Sequence, residues 1–96
     1  MKVFLLTKTP NSERTRLCLR LVASSQDVVV YLAGDGVYNL LGQTLAAPAP
    51  RHRIIACRED LLARGVSAEG KATVPADFYE SLVEDMMREG SRIYTF

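Results

Sequence analysis

The 96-residue chain has no tryptophan, one histidine, two cysteines and a formal net charge of only +1. Each scarcity removes a class of function. Cys18 and Cys57 are too few for a secreted disulfide scaffold, and they offer no zinc-ligand spacing. So few cysteines fit a reducing compartment, and a cytoplasmic location is the expectation. Twelve Lys+Arg against eleven Asp+Glu leave no basic excess for direct nucleic-acid binding. No apolar run approaches the roughly 20 residues of a membrane span. Met1–Leu6 is basic and apolar but far too short for a signal peptide. His52 has no Ser or Asp partner nearby and is expected on the surface. The one linker-like piece is Ala46-Ala47-Pro48-Ala49-Pro50, whose prolines forbid regular structure. The length suits a single domain over residues 1–96. Near-neutral charge does little to hold copies apart, so oligomers are expected.

What is present is an alternation of apolar runs and amphipathic stretches. Lys2–Thr7 and Asp27–Ala33 are apolar on both faces, as buried parallel strands are. Between them Ser12 or Asn11 caps a helix running to about Ser24, with Leu17, Cys18, Leu21 and Val22 on one face. Gly34-Asp35-Gly36 opens a short helix with Val37, Leu40 and Leu41 at i, i+3, i+4, stopped by Gly42. Ile54–Cys57 reads as a third buried strand, and Arg58–Gly65 as a helix with Glu59 and Asp60 in its first turn. Ala72–Val74 is a very short fourth strand. Pro75-Ala76-Asp77 opens a last helix with Phe78, Leu82, Val83 and Met86 inward, and Arg92–Phe96 alternates as a final strand. The order predicts an α/β fold with a mostly parallel sheet of about five strands and helices on its faces.

In such a sheet the carboxyl ends of the strands share one edge, where ligands and chemistry collect. Lys8, Asp35 and Cys57 follow the first three strands and fall on that edge. Cys57 also stands where a strand hands over to a helix, and helix N–H groups favour a thiolate. Arg58 and Lys8 favour the charged sulfur; Glu59, Asp60 and Asp35 oppose it. The balance is expected to fall to the fixed N–H groups, leaving Cys57 more acidic than a free thiol. The plain alternative is a small core residue, and Cys18, inside an apolar helical face, is expected to be one. Asp35-Gly36 is most simply a turn, and Gly34-x-Gly36 is too weak for a phosphate loop. Arg51, His52 and Arg53 lie at the other end of the third strand, roughly 15 Å from Cys57 at about 3.3 Å per residue.

Four stretches in order resemble the DsrE/DsrF/DsrH group of small sulfur-relay proteins, nearest its DsrH/TusB branch. They are Lys8-Thr9-Pro10, Cys18-Leu19-Arg20-Leu21, Asp35-Gly36-Val37-Tyr38, and Glu59-Asp60-Leu61-Leu62-Ala63-Arg64-Gly65. The resemblance implies a three-layer α/β/α fold, homo- or hetero-oligomers that include DsrE/DsrF-like subunits, and sulfur carried on a cysteine persulfide. It implies protein donors and acceptors of sulfur and no metal or organic cofactor, in tRNA 2-thiouridine formation or sulfur oxidation. In the DsrE/TusD branch the active cysteine ends the third strand, at the spacing Cys57 has to Arg64-Gly65. TusB-type proteins commonly lack it, so Cys57 departs from the branch the rest of the chain resembles. The first-helix cysteine, Cys18, is the secondary candidate. The readings are then a persulfide carrier using Cys57, supported by Lys8, Asp35, Arg58, Arg64 and Gly65; a non-catalytic subunit of a relay complex; or a small ligand-binding α/β domain.

Overall fold

The two most apolar runs of the chain form the middle of its sheet. β1 (Lys2–Leu6) and β2 (Val28–Leu32) pair in parallel, Val3 opposite Val29 and Leu5 opposite Tyr31. β3 (Arg53–Ala56) joins the free side of β2, and β4 (Arg92–Thr95) the free side of β1. Both are parallel, and the order is β3-β2-β1-β4. Every residue of β2 is buried, as a parallel strand covered on both faces must be. This computed structural model describes residues 1–41 and 53–96. Gly42, the Ala46–Pro50 linker, Arg51 and His52 lie outside the described residues.

Strand parity sorts the core into two layers. Phe4, Leu6, Val28, Val30, Leu32, Ile54 and Ala56 face one side. There they meet α1 (Glu13–Ala23) through Cys18 and Val22, a 3-10 helix (Gly34–Leu40) through Val37 and Leu40, and α2 (Arg58–Arg64) through Leu61. Val3, Val29, Tyr31, Ala33, Ile55 and Cys57 face the other side, where α3 (Phe78–Met87) packs Phe78 and Leu82 on them. Helices therefore cover both faces.

Local signals explain the helix ends. The Ser12 side chain accepts from the Arg14 N–H at 3.1 Å, which caps α1. Gly65 ends α2 at φ 64°, the left-handed value that glycine takes without a Cβ penalty.

Four expectations are corrected. The described residues hold four strands rather than about five. Ala72–Val74 makes only an isolated parallel bridge, Thr73 with Ile55, because the Gly70 turn (φ 77°) and Pro75 confine it. The helix after β2 is 3-10 in form, and Leu41 is 51% exposed instead of inward. A Cβ on Gly36 would stand 2.0 Å from the Leu6 carbonyl oxygen, so this turn is pressed onto the end of β1. In α1, Leu17 is turned outward while Thr15 is buried, its hydroxyl donating to the Thr9 carbonyl at 2.6 Å. In α3, Val83 is exposed, and Asp85 takes an inward position.

Asp85 is held by partners on three elements or turns. The Tyr31 hydroxyl donates to its Oδ2 at 2.5 Å, Arg53 Nη2 lies 3.3 Å from the same oxygen, and Arg88 Nη2 lies 3.3 Å from Oδ1. A buried carboxylate needs such pairing. The result ties the last turn of α3 to the starting edge of the sheet, so the first turn of α3 must lie at the opposite edge. That is the edge on which β3 ends.

Candidate functional site

Parity aims the Cys57 side chain at α3, away from the layer that holds α1 and α2. Cys57 caps α2 with extended backbone (φ −75°, ψ 120°), and its own N–H donates to the Leu32 carbonyl at 3.0 Å. The residue is 2% exposed, yet it lines a hollow of about 280 Å³. The other walls are Glu59 and Asp60 from the first turn of α2, and Ala76 to Glu80 from the start of α3. The Cys57 thiol donates to Glu59 Oε2 at 3.4 Å.

Electrostatics keep this thiol protonated. Burial pushes Cys57 up, an effect the Asp60 N–H at the sulfur opposes; the Asp60 and Glu59 side chains then push it up further. The expectation that helix N–H groups would prevail is not met, because the sulfur is buried among acids. Asp77 and Glu80 extend the acidic lining, and among the described residues no lysine or arginine lines the hollow. Tyr79 is 61% exposed, but burial of its hydroxyl, then Cys57, Asp60 and Glu59, push its pKa up.

The residues expected to support Cys57 are distributed elsewhere. Arg64 Nε lies 3.0 Å from Asp35 Oδ1, and Arg64 Nη1 lies 3.3 Å from Asp60 Oδ1. Asp60 Oδ2 accepts from the Gly34 N–H at 2.8 Å, which, with smaller contributions from the Cys57 thiol and Arg64, holds its carboxyl below the usual range. Asp35, Asp60 and Arg64 thus clamp α2 to the 3-10 helix; Asp60 alone of the three also walls the hollow. Gly65 ends α2, and Arg58 is exposed on it. Lys8 is exposed and lines a separate hollow with Arg14, Thr95 and Phe96. Cys18 is fully buried under α1, and burial pushes its thiol up to about 11.

The site residues that sequence reasoning missed are Asp77, Tyr79 and Glu80. A signal existed. A helix leading into a parallel strand starts at the edge where strands end, so the opening of α3 had to lie near Cys57. Among the described residues no group of His, Cys, Asp and Glu is arranged to hold a metal ion. No described helix is long and apolar enough to cross a membrane.

Comparison with known proteins finds a family and similar solved structures. A family model described as DsrH like protein matches residues 8–91. The solution structure of protein Tm0979 from Thermotoga maritima superposes with a TM-score of 0.62 at 21% identity, over 94% of this chain and 100% of that one. At that identity it speaks for the fold alone. No curated protein matches the chain.

Proposed function

The chain belongs to the DsrH-like family, and from that premise we propose that it is a sulfur-relay protein that carries sulfane sulfur as a persulfide on Cys57. The supporting observation is the hollow itself, which opens on the one strand-end cysteine and sets a carboxylate 3.4 Å from its sulfur. A buried, protonated thiol needs a base at the moment of attack, and Glu59 is placed to be that base.

The step balances as an exchange. Cys57 sulfur attacks the outer sulfur of a donor persulfide while Glu59 takes its proton. The donor's S–S bond breaks, its thiolate leaves, and Glu59 returns the proton to that thiolate. The products are a Cys57 persulfide and a donor thiol, with no net oxidation. An acceptor protein removes the sulfur by the same exchange in reverse. In this reading the donor and acceptor are proteins of the cytoplasm, and DsrE/DsrF-like subunits are the assembly partners. The step serves tRNA 2-thiouridine formation and sulfur oxidation equally.

Burial of Cys57 favours a second reading, a subunit that supports catalytic relatives and carries no sulfur. Intact mass spectrometry after incubation with a cysteine desulfurase and cysteine separates the two. The carrier gains the mass of one sulfur atom, keeps that gain in Cys18→Ala and loses it in Cys57→Ala. No gain in the wild-type chain supports the second reading.

A further inference from the structure

The strand order reverses between β1 and β4. β1 leads through α1 to β2 on one side, and β4 lies on its other side. In open parallel sheets, ligands bind in the crevice outside the carboxyl strand ends at such a reversal. Here that place is a hollow of about 460 Å³, walled by Leu5, Thr7, Lys8, Arg14, Thr95 and Phe96. Its size falls within the roughly 300–1,000 Å³ of small-molecule sites. It shares no described residue with the Cys57 hollow. β3 is two to three strands away, roughly 10–14 Å at about 4.8 Å per strand.

The loop that brings Lys8 to this hollow is fixed from below. Asn39 Nδ2 donates to the Lys8 carbonyl at 3.0 Å, and the Thr15 hydroxyl donates to the Thr9 carbonyl at 2.6 Å. Lys8 itself is exposed, and its ammonium pairs with no acid among the described residues. Arg14 comes from the first turn of α1. Its Nη2 donates to the Thr95 carbonyl at 3.2 Å, and its guanidinium lies over the Phe96 ring, 5.3 Å from the centroid. These two contacts orient the fork and leave its other N–H groups for a ligand. The Ser12 side chain already caps α1, so the positive charge here belongs to side chains and not to helix N–H groups. The opposing charge in the 96-residue chain is the α-carboxylate of Phe96. Its oxygen already accepts from the Thr7 N–H at 3.0 Å and the Thr7 hydroxyl at 2.9 Å.

We propose that this hollow binds a phosphomonoester of mononucleotide size, its phosphate between Lys8 and Arg14 and its apolar body against Leu5 and Phe96. A point charge beside a planar fork suits phosphate. The proposal goes beyond the sulfur-relay reading and does not depend on it.

Amide chemical shifts of the isotope-labelled chain, titrated with AMP to about 10 mM, test this with no sulfur donor present, so the result is independent of the relay reading. AMP should shift the amides of Lys8, Thr95 and Phe96 and leave those of residues 76–80, beside Cys57, in place. Adenosine and inorganic phosphate should each bind more weakly than AMP. Lys8→Gln and Arg14→Gln should each weaken AMP about fivefold, the upper range for an exposed ion pair. Lys8 is exposed, so its variant leaves the fold intact. Raising NaCl from about 50 to 300 mM should weaken AMP as well. No shift at Lys8, Thr95 and Phe96 overturns the proposal. So does an affinity that adenosine or inorganic phosphate equals, or one that Lys8→Gln leaves unchanged.

Discussion

The Cys57 thiol donates to Glu59 Oε2 across 3.4 Å, so the sulfur lies beside an acid and not a cation. That arrangement disfavours the resting thiolate and supplies a proton acceptor for the reaction. Glu59→Gln separates these two effects. Removing the carboxylate should move the pH midpoint of Cys57 alkylation down, because the Glu59 contact is one cause of the raised value. The same variant should accept sulfur from a persulfide donor about 100-fold more slowly at pH 7, the lower end of what a positioned base contributes. A thiol that ionises more readily and yet accepts sulfur more slowly identifies Glu59 as the base. Equal or faster acceptance would remove it from that role.

Cys18 is predicted to be silent. It is fully buried, and its thiol is pushed up to about 11. Native alkylation at pH 8 should label Cys57 first and Cys18 only on unfolding. Cys18→Ala should cost about 1 kcal/mol by urea denaturation, near the low end for a small buried truncation. Rapid labelling of Cys18 in the folded chain would contradict its place under α1.

The Tyr31–Asp85 bond joins a central strand to α3. Tyr31→Phe should cost about 1.5–3 kcal/mol, the range for a hydrogen bond to a charged group. Asp85→Ala should cost more, because it leaves the buried Tyr31 hydroxyl without its acceptor and two arginines without their carboxylate. Equal and negligible losses in the two variants would show that α3 is anchored by Phe78 and Leu82 alone.

Asp60 gives the fold an acid dependence. Its carboxyl is held below the usual range chiefly by the Gly34 N–H. A depressed folded value adds stability above the unfolded pKa of about 3.9, and that stability is lost as pH falls through the folded value. Urea titrations from pH 7 to pH 3 should show the wild-type chain losing stability at the acid end, and Asp60→Asn losing less across the same range while starting lower. Parallel curves would show that the α2 clamp does not depend on the charge of Asp60.

Much of this architecture could be read from residue order alone. The continuous apolar runs at Lys2–Leu6 and Val28–Leu32 are the central strands, and Gly65 ends α2. The position of Cys57 at a strand end was also legible. Its surroundings were not. Whether a strand-end side chain faces the α2 layer or the α3 layer is a matter of parity at the last residue, and parity set Cys57 against the acidic start of α3. Asp85 was hidden because a charged residue on a helix reads as solvent-facing until its partners on β2 and β3 are known. The 3-10 form of Gly34–Leu40 was hidden for a similar reason, since it follows from the close approach of Gly36 to the end of β1.

In the proposed relay the Cys57 sulfur is the atom that holds the sulfane sulfur. The most direct measurement is peptide-resolved mass spectrometry of the folded wild-type chain after exposure to glutathione persulfide, a small donor that needs no protein recognition. The account predicts a persulfide on the peptide containing Cys57, faster at pH 8 than at pH 6, with Cys18 unmodified. Sulfur on Cys18, or on neither cysteine while a free thiol control is fully converted, would contradict it.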